Sequence, residues 1–330
     1  MRYPLPLVFF ALAMAAALWR APAPEAPVFT PASTTQNALP SFFRETLPGP
    51  QGHVGASSLA RLPNNRLVVV WLENRTDDPG NATLRLLTQD RQGQWQKAAE
   101  IANRATVAAS NFAYLSYLDS PLLHAEGNWL HLYFVSHGLF DGRSATLIHS
   151  FSSDAGHSWS AQHKTAIAPA LNNAHLRPLP AHTLSQGELA LPIEEGQPPQ
   201  MTWLRLSATG KPLGKIRLAP GQSLLATGVT APKLPAGAAA LLALDDKHLL
   251  AAGNPDGRRQ QLQLWESQDG GQNWQPRRLL ESADDGAAEF THPFLLLAAD
   301  GQIHLTYTWR RQAIRHLRFT MAGLGGEEKP

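Results

Sequence analysis

The sequence contains no cysteine, which excludes disulfide frameworks, thiolate metal sites and a cysteine nucleophile. Charged residues are also scarce, at 16% of the chain against about 25% in an average globular protein. The formal net charge is only +2 and there is no block of basic residues, so the chain lacks the signature of a nucleic-acid partner. The apolar fraction of 43% excludes a disordered chain, and 330 residues are enough to bury a large core.

The N-terminal apolar run is too short for an ordinary membrane span, which needs about 20 residues. It covers 15 residues, from Leu5 to Trp19, and follows Arg2, an arrangement typical of an export signal. The cleavage position is ambiguous, so residues 1–20 are predicted to be either a signal peptide or a membrane anchor. Residues 21–40 are rich in proline and alanine and are predicted to be an extended linker. We therefore expect an exported protein, periplasmic or extracellular. If residues 1–20 are a membrane anchor, we expect the protein to be attached to the inner membrane.

A turn followed by an apolar strand recurs five times along the rest of the chain. The turns begin near positions 64, 126, 186, 245 and 300, at spacings of 62, 60, 59 and 55 residues. Asn, Asp and Gly in these turns tolerate the positive φ of a tight hairpin, and the β-branched and aromatic residues that follow favour strands. A repeated turn at a nearly constant period favours the blades of a β-propeller over a β-sandwich.

A second repeated motif, S-x-D-x-G-x-x-W, accompanies these strands. It occurs at Ser152–Trp159 and Ser267–Trp274, with a degraded copy at Thr88–Trp95 and a poorer remnant at Leu206–Gly210. We expect the aspartate to accept backbone N–H bonds within a hairpin, the glycine to take the left-handed position, and the tryptophan to pack between neighbouring units. The motif is therefore predicted to be structural, and neither catalytic nor metal-binding.

This motif and the C-terminal segment together resemble a known family. Glu289–Phe294 is followed by Asp300–Trp309, with the sequence D-G-Q-I-H-L-T-Y-T-W, and then by an Arg/His strand that ends at His316. The chain resembles the sialidase-like (neuraminidase-like) Asp-box, or BNR-repeat, β-propellers over roughly residues 45–320.

The resemblance implies an all-β fold, a sialidase-like propeller of four-stranded blades, usually six in number. Only five turn–strand copies are visible, and little of a further blade is left between Lys215 and Lys233. We therefore expect five blades, or a distorted six, within residues 41–320, followed by a tail at residues 321–330.

The resemblance also implies a glycan or acidic sugar as the ligand. If the protein is an enzyme, it is expected to be an exo-acting glycoside hydrolase. Such a site holds the carboxylate of the sugar with arginines, because a guanidinium matches a carboxylate bidentately. An acid protonates the leaving group, and a tyrosine is the usual nucleophile of the family. The alternative is a non-catalytic propeller that binds polysaccharide or scaffolds envelope proteins.

Asp77 and Asp78 are the candidate catalytic acids. They follow the second strand of the first blade, where the family carries its acid, and Asp77 matches that position by its spacing from Trp71. The other interpretation of this segment is an ordinary Asp-Asp-Pro-Gly turn.

The candidate substrate-binding residues lie near the expected ends of blade strands. His53 is close to a family histidine in the first blade, and Arg177 is close to a basic position that opens the third. Arg310 and Arg315 follow the second strand of the last blade and are predicted to point into the central channel. Tyr307 is included as a candidate, although its strand pattern is also typical of a core residue.

The nucleophile is where this sequence departs from the family. The resemblance places the catalytic tyrosine at Phe290, and phenylalanine cannot form a glycosyl–enzyme bond. The chain has only five tyrosines, of which Tyr114 and Tyr117, ahead of the second blade, are the ones expected to reach the channel. The sequence therefore leaves open whether the protein is an enzyme.

No cofactor or metal motif is present. The 13 histidines show no HExxH pattern and no paired His/carboxylate spacing. A phosphate loop, a dinucleotide fingerprint and a G-x-S-x-G elbow are also absent from the sequence. We therefore expect neither a metal nor a cofactor.

Overall fold

In the computed structural model, the described residues are 39–74, 78–138, 145–167, 173–184, 187–195, 200–217, 223–224, 230–231, 234–245 and 247–325. The predicted signal or anchor segment at 1–20, most of the predicted linker, and Asp77 lie outside these ranges. Among the described residues, no helix combines the length and the apolar character needed to cross a membrane.

The strands form five blades, which confirms the five-bladed alternative of the predicted propeller. The chain begins with β1 (Phe42–Thr46). Blade 1 contains β2 (His53–Arg61), β3 (Leu67–Asn74), β4 (Thr83–Thr88) and β5 (Ala99–Asn103). The helix α1 (Arg104–Asn111) leads to blade 2, with β6 (Tyr117–Glu126), β7 (Trp129–His137), β8 (Ala145–Ser152) and β9 (His163–Lys164).

Blade 3 contains β10 (Ala174–Leu176), β11 (His182–Thr183), β12 (Leu189–Glu195), β13 (Gln200–Leu206) and β14 (Pro212–Arg217). The small pair β15 (Ser223–Leu224) and β16 (Thr230–Ala231) follows, in the region where most of a further blade is missing. Blade 4 contains β17 (Ala238–Ala243), β18 (Leu249–Gly253), β19 (Gln261–Ser267) and β20 (Gln275–Ser282). Blade 5 is built from β21 (Phe290–Leu297), β22 (Ile303–Trp309) and β23 (Ala313–Phe319).

The ring is closed by the N-terminal strand. β1 pairs antiparallel with β23, with Phe42 opposite Phe319 and Thr46 opposite Arg315, and so supplies the fourth strand of blade 5. The segment predicted as a tail begins with a 3-10 helix, Met321–Gly325, in which Leu324 is buried. Gly323 of this helix lies so close to Ser41 that a Cβ atom would be 2.0 Å from the Ser41 carbonyl oxygen. The first and last described segments therefore pack together on one face of the propeller.

The core lies between blades because the middle strands bury both faces. In β3, one face of alternate residues, including Val68 and Val70, packs towards blade 2, and the other face, including Val69 and Trp71, packs towards blade 5. A strand buried on both faces has a nearly continuous apolar sequence, as the segment L-V-V-V-W-L shows. Blade-to-blade packing thus replaces the two-layer core of a sandwich.

The turn role expected of the repeated aspartates is confirmed. The backbone N–H of Ser158 donates to Asp154 Oδ1 at 2.8 Å, and that of Asn273 donates to Asp269 Oδ1 at 2.9 Å. Hydrogen bonds from Asn273 and Ser267 lower the pKa of the Asp269 carboxyl to about 2. Trp159 packs against the core between blades 1 and 2. The two aspartates hold the turns through hydrogen bonds and Trp159 packs in the core, which is the structural role predicted for the motif.

Candidate functional site

Four inner strands of the described chain are irregular near their first residues. One is β17, in which the pairing register shifts between Ala238 and Ala240. The other three are β2, β6 and β21, whose first residues lie at one end of the central channel. The pairing register shifts between Val54 and Ser57 in β2, between Asp119 and Leu122 in β6, and between Thr291 and Phe294 in β21. A bulge bends the strand and re-aims its side chains. We call this end of the channel, formed by the first residues of β2, β6 and β21, the mouth.

Two of these irregularities contain a residue with left-handed backbone. Ser120 has φ 49° and His292 has φ 52°. Residues other than glycine rarely adopt this conformation, and strained positions of this kind cluster at functional sites. The side chain of His292 is exposed to solvent within the channel and lines both of the cavities described next.

The outer cavity, of about 410 Å³, opens at the mouth between blades 1 and 5. Its ionisable lining residues are His53, Glu73, Arg259, Glu289, His292 and Arg311. Arg259 lies 3.5 Å from Glu289, whereas Arg311 has no ion-pair partner within the described residues. Among the described residues, the cavity therefore contains one guanidinium that no carboxylate neutralises.

The inner cavity, of about 160 Å³, continues into the channel behind His292. Its polar lining consists of Ser57, Ser120, Arg177 and His292, and its walls include Leu176 and Phe294. Arg177 Nη1 lies 3.4 Å from Glu194 Oε2. The inner cavity thus offers a second, partly neutralised guanidinium among apolar walls.

His292 lies near carboxylates and guanidinium groups, which change its pKa in opposite directions. Burial among protein atoms lowers its pKa, the nearby carboxylates of Asp119 and Glu289 raise it, and the guanidinium groups of Arg259 and Arg311 lower it, with a net result below the usual value. At neutral pH the imidazole is accordingly uncharged and can accept a proton. His292, which lines both cavities, is therefore a candidate general base, and the Asp119 carboxylate lies near it.

Glu73 is a buried carboxylate in the wall of the outer cavity, with only 1% of its surface exposed. The indole Nε1 of Trp71 donates a hydrogen bond to Glu73 Oε2 at 3.1 Å and fixes the side chain. Buried carboxylates held in this way are more common at functional sites than on ordinary strands.

Of the candidate substrate-binding residues, His53 lines the outer cavity and Arg177 lines the inner cavity. The prediction for Arg310 and Arg315 differs from the structure. Arg310 points away from the channel and pairs with Asp285 at 2.7 Å, and the guanidinium of Arg315 lies 4.9 Å from the ring centre of Trp309. In the tight turn after β22 it is the next residue, Arg311, that faces the mouth.

Tyr307 is in the core between blades 4 and 5 and is fully buried. Its hydroxyl donates to Glu281 Oε1 at 2.5 Å, and burial, followed by the Glu281 charge, raises its pKa. Phe290 belongs to the same core cluster, so its side chain does not face the channel. The channel residue on β21 is His292, two positions further on.

Of the two candidate acids, Asp77 lies outside the described residues. Asp78 is an exposed turn residue whose Oδ1 accepts the backbone N–H of Gly80 at 2.8 Å, while its carbonyl oxygen accepts the side-chain amide of Asn74 at 2.6 Å. This geometry corresponds to the turn interpretation of the segment.

Most of the ionisable residues at the mouth were not predicted from the sequence. The residues it did not single out are Glu73, Asp119, Arg259, Glu289, His292 and Arg311. The available signal was positional, because each of these residues stands within two residues of the beginning or end of a strand. The bulges that turn these side chains inward have no signature in the sequence.

The other end of the channel has a different character. Its cavity of about 450 Å³ is lined mainly by apolar residues such as Leu59, Leu123 and Leu242. His124 and His182 also line it, and burial lowers the pKa of His124 to about 4 and of His182 to about 3. Within the described residues, no cluster of His, Asp and Glu has the form of a metal site at either end.

Comparison with known proteins agrees with this architecture. The chain matches the family model of the BNR repeat-like domain over residues 65–219 and 219–305, and it therefore belongs to that family. No curated protein sequence matches the chain.

Several solved structures share the fold. The chain resembles a Trypanosoma rangeli sialidase with a TM-score of 0.60 at 12% identity, covering 91% of this chain and 60% of the sialidase. It resembles a leech intramolecular trans-sialidase bound to 2,7-anhydro-Neu5Ac with a TM-score of 0.57 at 9% identity, covering 83% and 69% of the two chains. A subtype N10 neuraminidase-like protein of the isolate A/little yellow-shouldered bat/Guatemala gives a TM-score of 0.54 at 8% identity, covering 85% of this chain and 97% of that protein. At these identities the likeness establishes the propeller fold.

Proposed function

We propose that this chain recognises an acidic sugar at the channel mouth and hydrolyses its glycosidic bond. The observation that carries the proposal is the cavity at the mouth, where Arg311 has no ion-pair partner within the described residues and His292 lies near the Asp119 carboxylate. A free guanidinium is the preferred partner of a sugar carboxylate. The sialidase and trans-sialidase that share the fold support a sugar of this class.

In the proposed reaction, Arg311 and Arg177 hold the anionic end of the sugar. The Asp119 carboxylate removes a proton from the attacking water as the water oxygen bonds to the sugar carbon. The imidazolium form of His292, which is populated as the pH falls, protonates the glycosidic oxygen as its bond to that carbon breaks. Direct attack by water suits this site because, within the described residues, no tyrosine lines either cavity.

The same observation favours a second candidate function, which is binding of acidic polysaccharide without catalysis. The two functions share the ligand and the arginines and differ only in the role of His292 and Asp119. They are separated by turnover, since only the first predicts release of product.

The experiment measures binding and hydrolysis of sialosides, glucuronides and galacturonides by the purified protein. Arg311→Ala should weaken binding about tenfold or more, as expected for loss of a charge-assisted contact, whereas Arg310→Ala, the neighbour that faces away, should bind like wild type. Product release that is lost in Asp119→Asn or His292→Gln supports hydrolysis, and binding without turnover supports the second function. Equal binding by Arg311→Ala and wild type would contradict both. Asp77→Asn tests the sequence-based acid in the same assay.

We also propose that the protein is exported. The support is the sequence of residues 1–20, with Arg2 ahead of a 15-residue apolar run. Cell fractionation tests it: the full chain should occur in the periplasm, the medium or the membrane fraction, and a chain starting at residue 21 should stay in the cytoplasm.

A further inference from the structure

An exposed aromatic segment leads from the edge of the propeller to the mouth. It consists of residues 112–116, which connect α1 to β6. The side chains of Phe112 and Tyr114 are 99% and 60% exposed, whereas Leu115 is buried. Single exposed aromatic residues are ordinary on a protein surface, but here two of them project from one short segment. We call residues 112–116 the aromatic segment.

The inner end of the aromatic segment lies beside the outer cavity. A Cβ atom on Gly80 would be 3.1 Å from the Ser116 carbonyl oxygen, so the segment passes close to the turn that follows β3. Leu115 belongs to the same core cluster as Ala82 and Leu118, which line the outer cavity. The aromatic segment is therefore continuous with the wall of that cavity.

The outer end of the aromatic segment lies at the edge of blade 2. Asn111, the residue before Phe112, accepts the backbone N–H of Lys164 at 3.0 Å through its Oδ1. Its side-chain amide donates to the Gln162 carbonyl oxygen, also at 3.0 Å. Lys164 is on β9, three strands out from the channel strand β6, so these two strands lie about 14 Å apart. A ligand that reaches both the mouth and Phe112 is therefore longer than one sugar ring.

Phe112 has a backbone conformation that phenylalanine rarely adopts. It ends α1 with φ 48° and ψ 44°, the left-handed position that glycine usually takes at the end of a helix. Its side chain is almost fully exposed, so no packing within the protein offsets the cost of this conformation. Strained residues of this kind cluster at binding and active sites. The ring of Phe112 thus points to a ligand and not to the core.

Two exposed aromatic rings beside a sugar site suit the apolar face of a pyranose ring. The C–H groups on that face carry a small positive charge, and the face of an aromatic ring is negative. The Tyr114 hydroxyl adds a donor and an acceptor for sugar hydroxyls. Because the side chains of Phe112 and Tyr114 carry no charge, these contacts do not require a second acidic sugar.

We propose that the aromatic segment is an extended glycan-binding surface. Tyr114 and Phe112 contact the second and later sugars of an oligosaccharide whose acidic end occupies the mouth. The inference rests on the function proposed above and adds the length of the ligand, since an oligosaccharide gains contacts that a single acidic sugar cannot make.

The test compares each acidic sugar with an oligosaccharide that contains it. The pairs are N-acetylneuraminic acid with 3′-sialyllactose, and galacturonic acid with trigalacturonic acid. Dissociation constants are measured by calorimetry on the full chain, and KM replaces them where product is released. In at least one pair the oligosaccharide should bind about tenfold more tightly than the monosaccharide. Phe112→Gly and Tyr114→Ala should each weaken oligosaccharide binding about fivefold, the order of one aromatic contact, and leave monosaccharide binding unchanged.

Phe112→Gly also separates binding from folding. Glycine adopts the left-handed conformation without strain, so this variant should melt at or above the wild-type temperature while it loses affinity for the oligosaccharide. Trp129→Ala is the matched control. Trp129 is 48% exposed but pairs with Glu126 at the last residue of β6, at the end of the channel away from the mouth. This variant should bind both members of each pair like wild type.

Three results would overturn the proposal. The first is an affinity for both oligosaccharides that is no higher than for their monosaccharides. The second is unchanged oligosaccharide binding in the double variant Phe112→Gly/Tyr114→Ala. The third is an equal loss of monosaccharide and oligosaccharide affinity, which would mean that the aromatic segment supports the mouth and contacts no further sugar. Failure of the proposed function is seen separately, because Arg311→Ala would then leave monosaccharide binding unchanged. If none of the four sugars binds, both inferences are wrong.

Discussion

Gly210 and His149 are in a contact that leaves no room for a side chain, because a Cβ atom on Gly210 would lie 2.4 Å from Cε1 of the imidazole ring. Gly210 also has a φ of +81°, a conformation that glycine adopts without strain. The turn that carries it belongs to blade 3 and covers the hydrogen-bonded pair of His131 and His149 in blade 2. The contact explains why this weak remnant of the repeated motif retains its glycine.

The first prediction follows from that contact. Gly210→Ala should lower the free energy of unfolding by about 3 kcal/mol, the combined cost of an overpacked contact and a left-handed alanine. Gly93→Ala is the matched control, since Gly93 has a similar φ of +77° but open space around it, and it should cost only about 1 kcal/mol. Urea denaturation of the two variants measures the difference. If both variants lose the same free energy of unfolding, the close contact with His149 adds no cost.

The second prediction concerns the dependence of stability on pH. Burial lowers the pKa of His124 to about 4 and of His149 and His182 to about 3, and it holds the pKa of His304 well below its usual value. In the unfolded chain these histidines titrate near about 6.5. Between that value and the folded pKa values the unfolded state binds more protons, so stability falls as the pH is lowered.

We expect the loss to begin near pH 6.5 and to continue to about pH 4, at up to about 1.4 kcal/mol per histidine for each pH unit. Melting temperatures recorded from pH 8 to pH 4.5 test this. Glu45 and Glu266, whose net pKa shifts are downward, act mainly below that window. A melting temperature that does not change between pH 7 and pH 5 would show that the histidines titrate normally in the folded protein.

The third prediction separates the core role of Tyr307 from the ligand-binding role that the sequence indicated. Tyr307→Phe removes only the hydroxyl that donates to Glu281, which keeps its ion pair with Arg44 at 3.0 Å. The variant should lose about 1 kcal/mol of stability, the net value of a typical hydrogen bond. Its affinity for acidic sugars should equal that of wild type. Weaker binding with unchanged stability would reverse this assignment.

The fourth prediction is that acidic-sugar binding at the mouth strengthens as the pH falls. Proton uptake by His292 adds positive charge beside Arg259 and Arg311, although Asp119 and Glu289 offset part of it. Affinity for N-acetylneuraminic acid should therefore rise as the pH falls from 7.5 to 5.5, while the sugar carboxylate stays ionised. His292→Gln should bind with an affinity that varies little over this range. A wild-type affinity that is also flat would remove His292 from the anion site.

The sequence was sufficient to predict the propeller, with five blades as one of two alternatives, and the reasons are local. A turn repeated every 55–62 residues needs only neighbouring residues to be recognised, and the aspartates of the repeated motif act within a few residues of themselves. The small β15–β16 pair likewise lies in the region where the repeat is missing.

The mouth was less predictable because it depends on backbone irregularity. Arg310 and Arg311 are adjacent and chemically identical, and only the left-handed turn decides which of them faces the cavity. Phe290 and His292 lie on one strand, and the register shift after Thr291 decides which side chain enters the channel. Glu45 and His316 pair at 2.8 Å although they are 271 positions apart in sequence, and this contact depends on ring closure.

The pairing of β1 with β23 also determines where the ends of the described chain lie relative to the mouth. Thr46 lies towards the turn that contains Arg310 and Arg311, whereas Phe42 and the 3-10 helix Met321–Gly325 lie at the opposite end. Both ends of the described chain therefore leave from the face opposite the mouth. A resin or a fused protein attached at residue 39 or residue 325 would therefore lie on the side of the propeller away from the mouth.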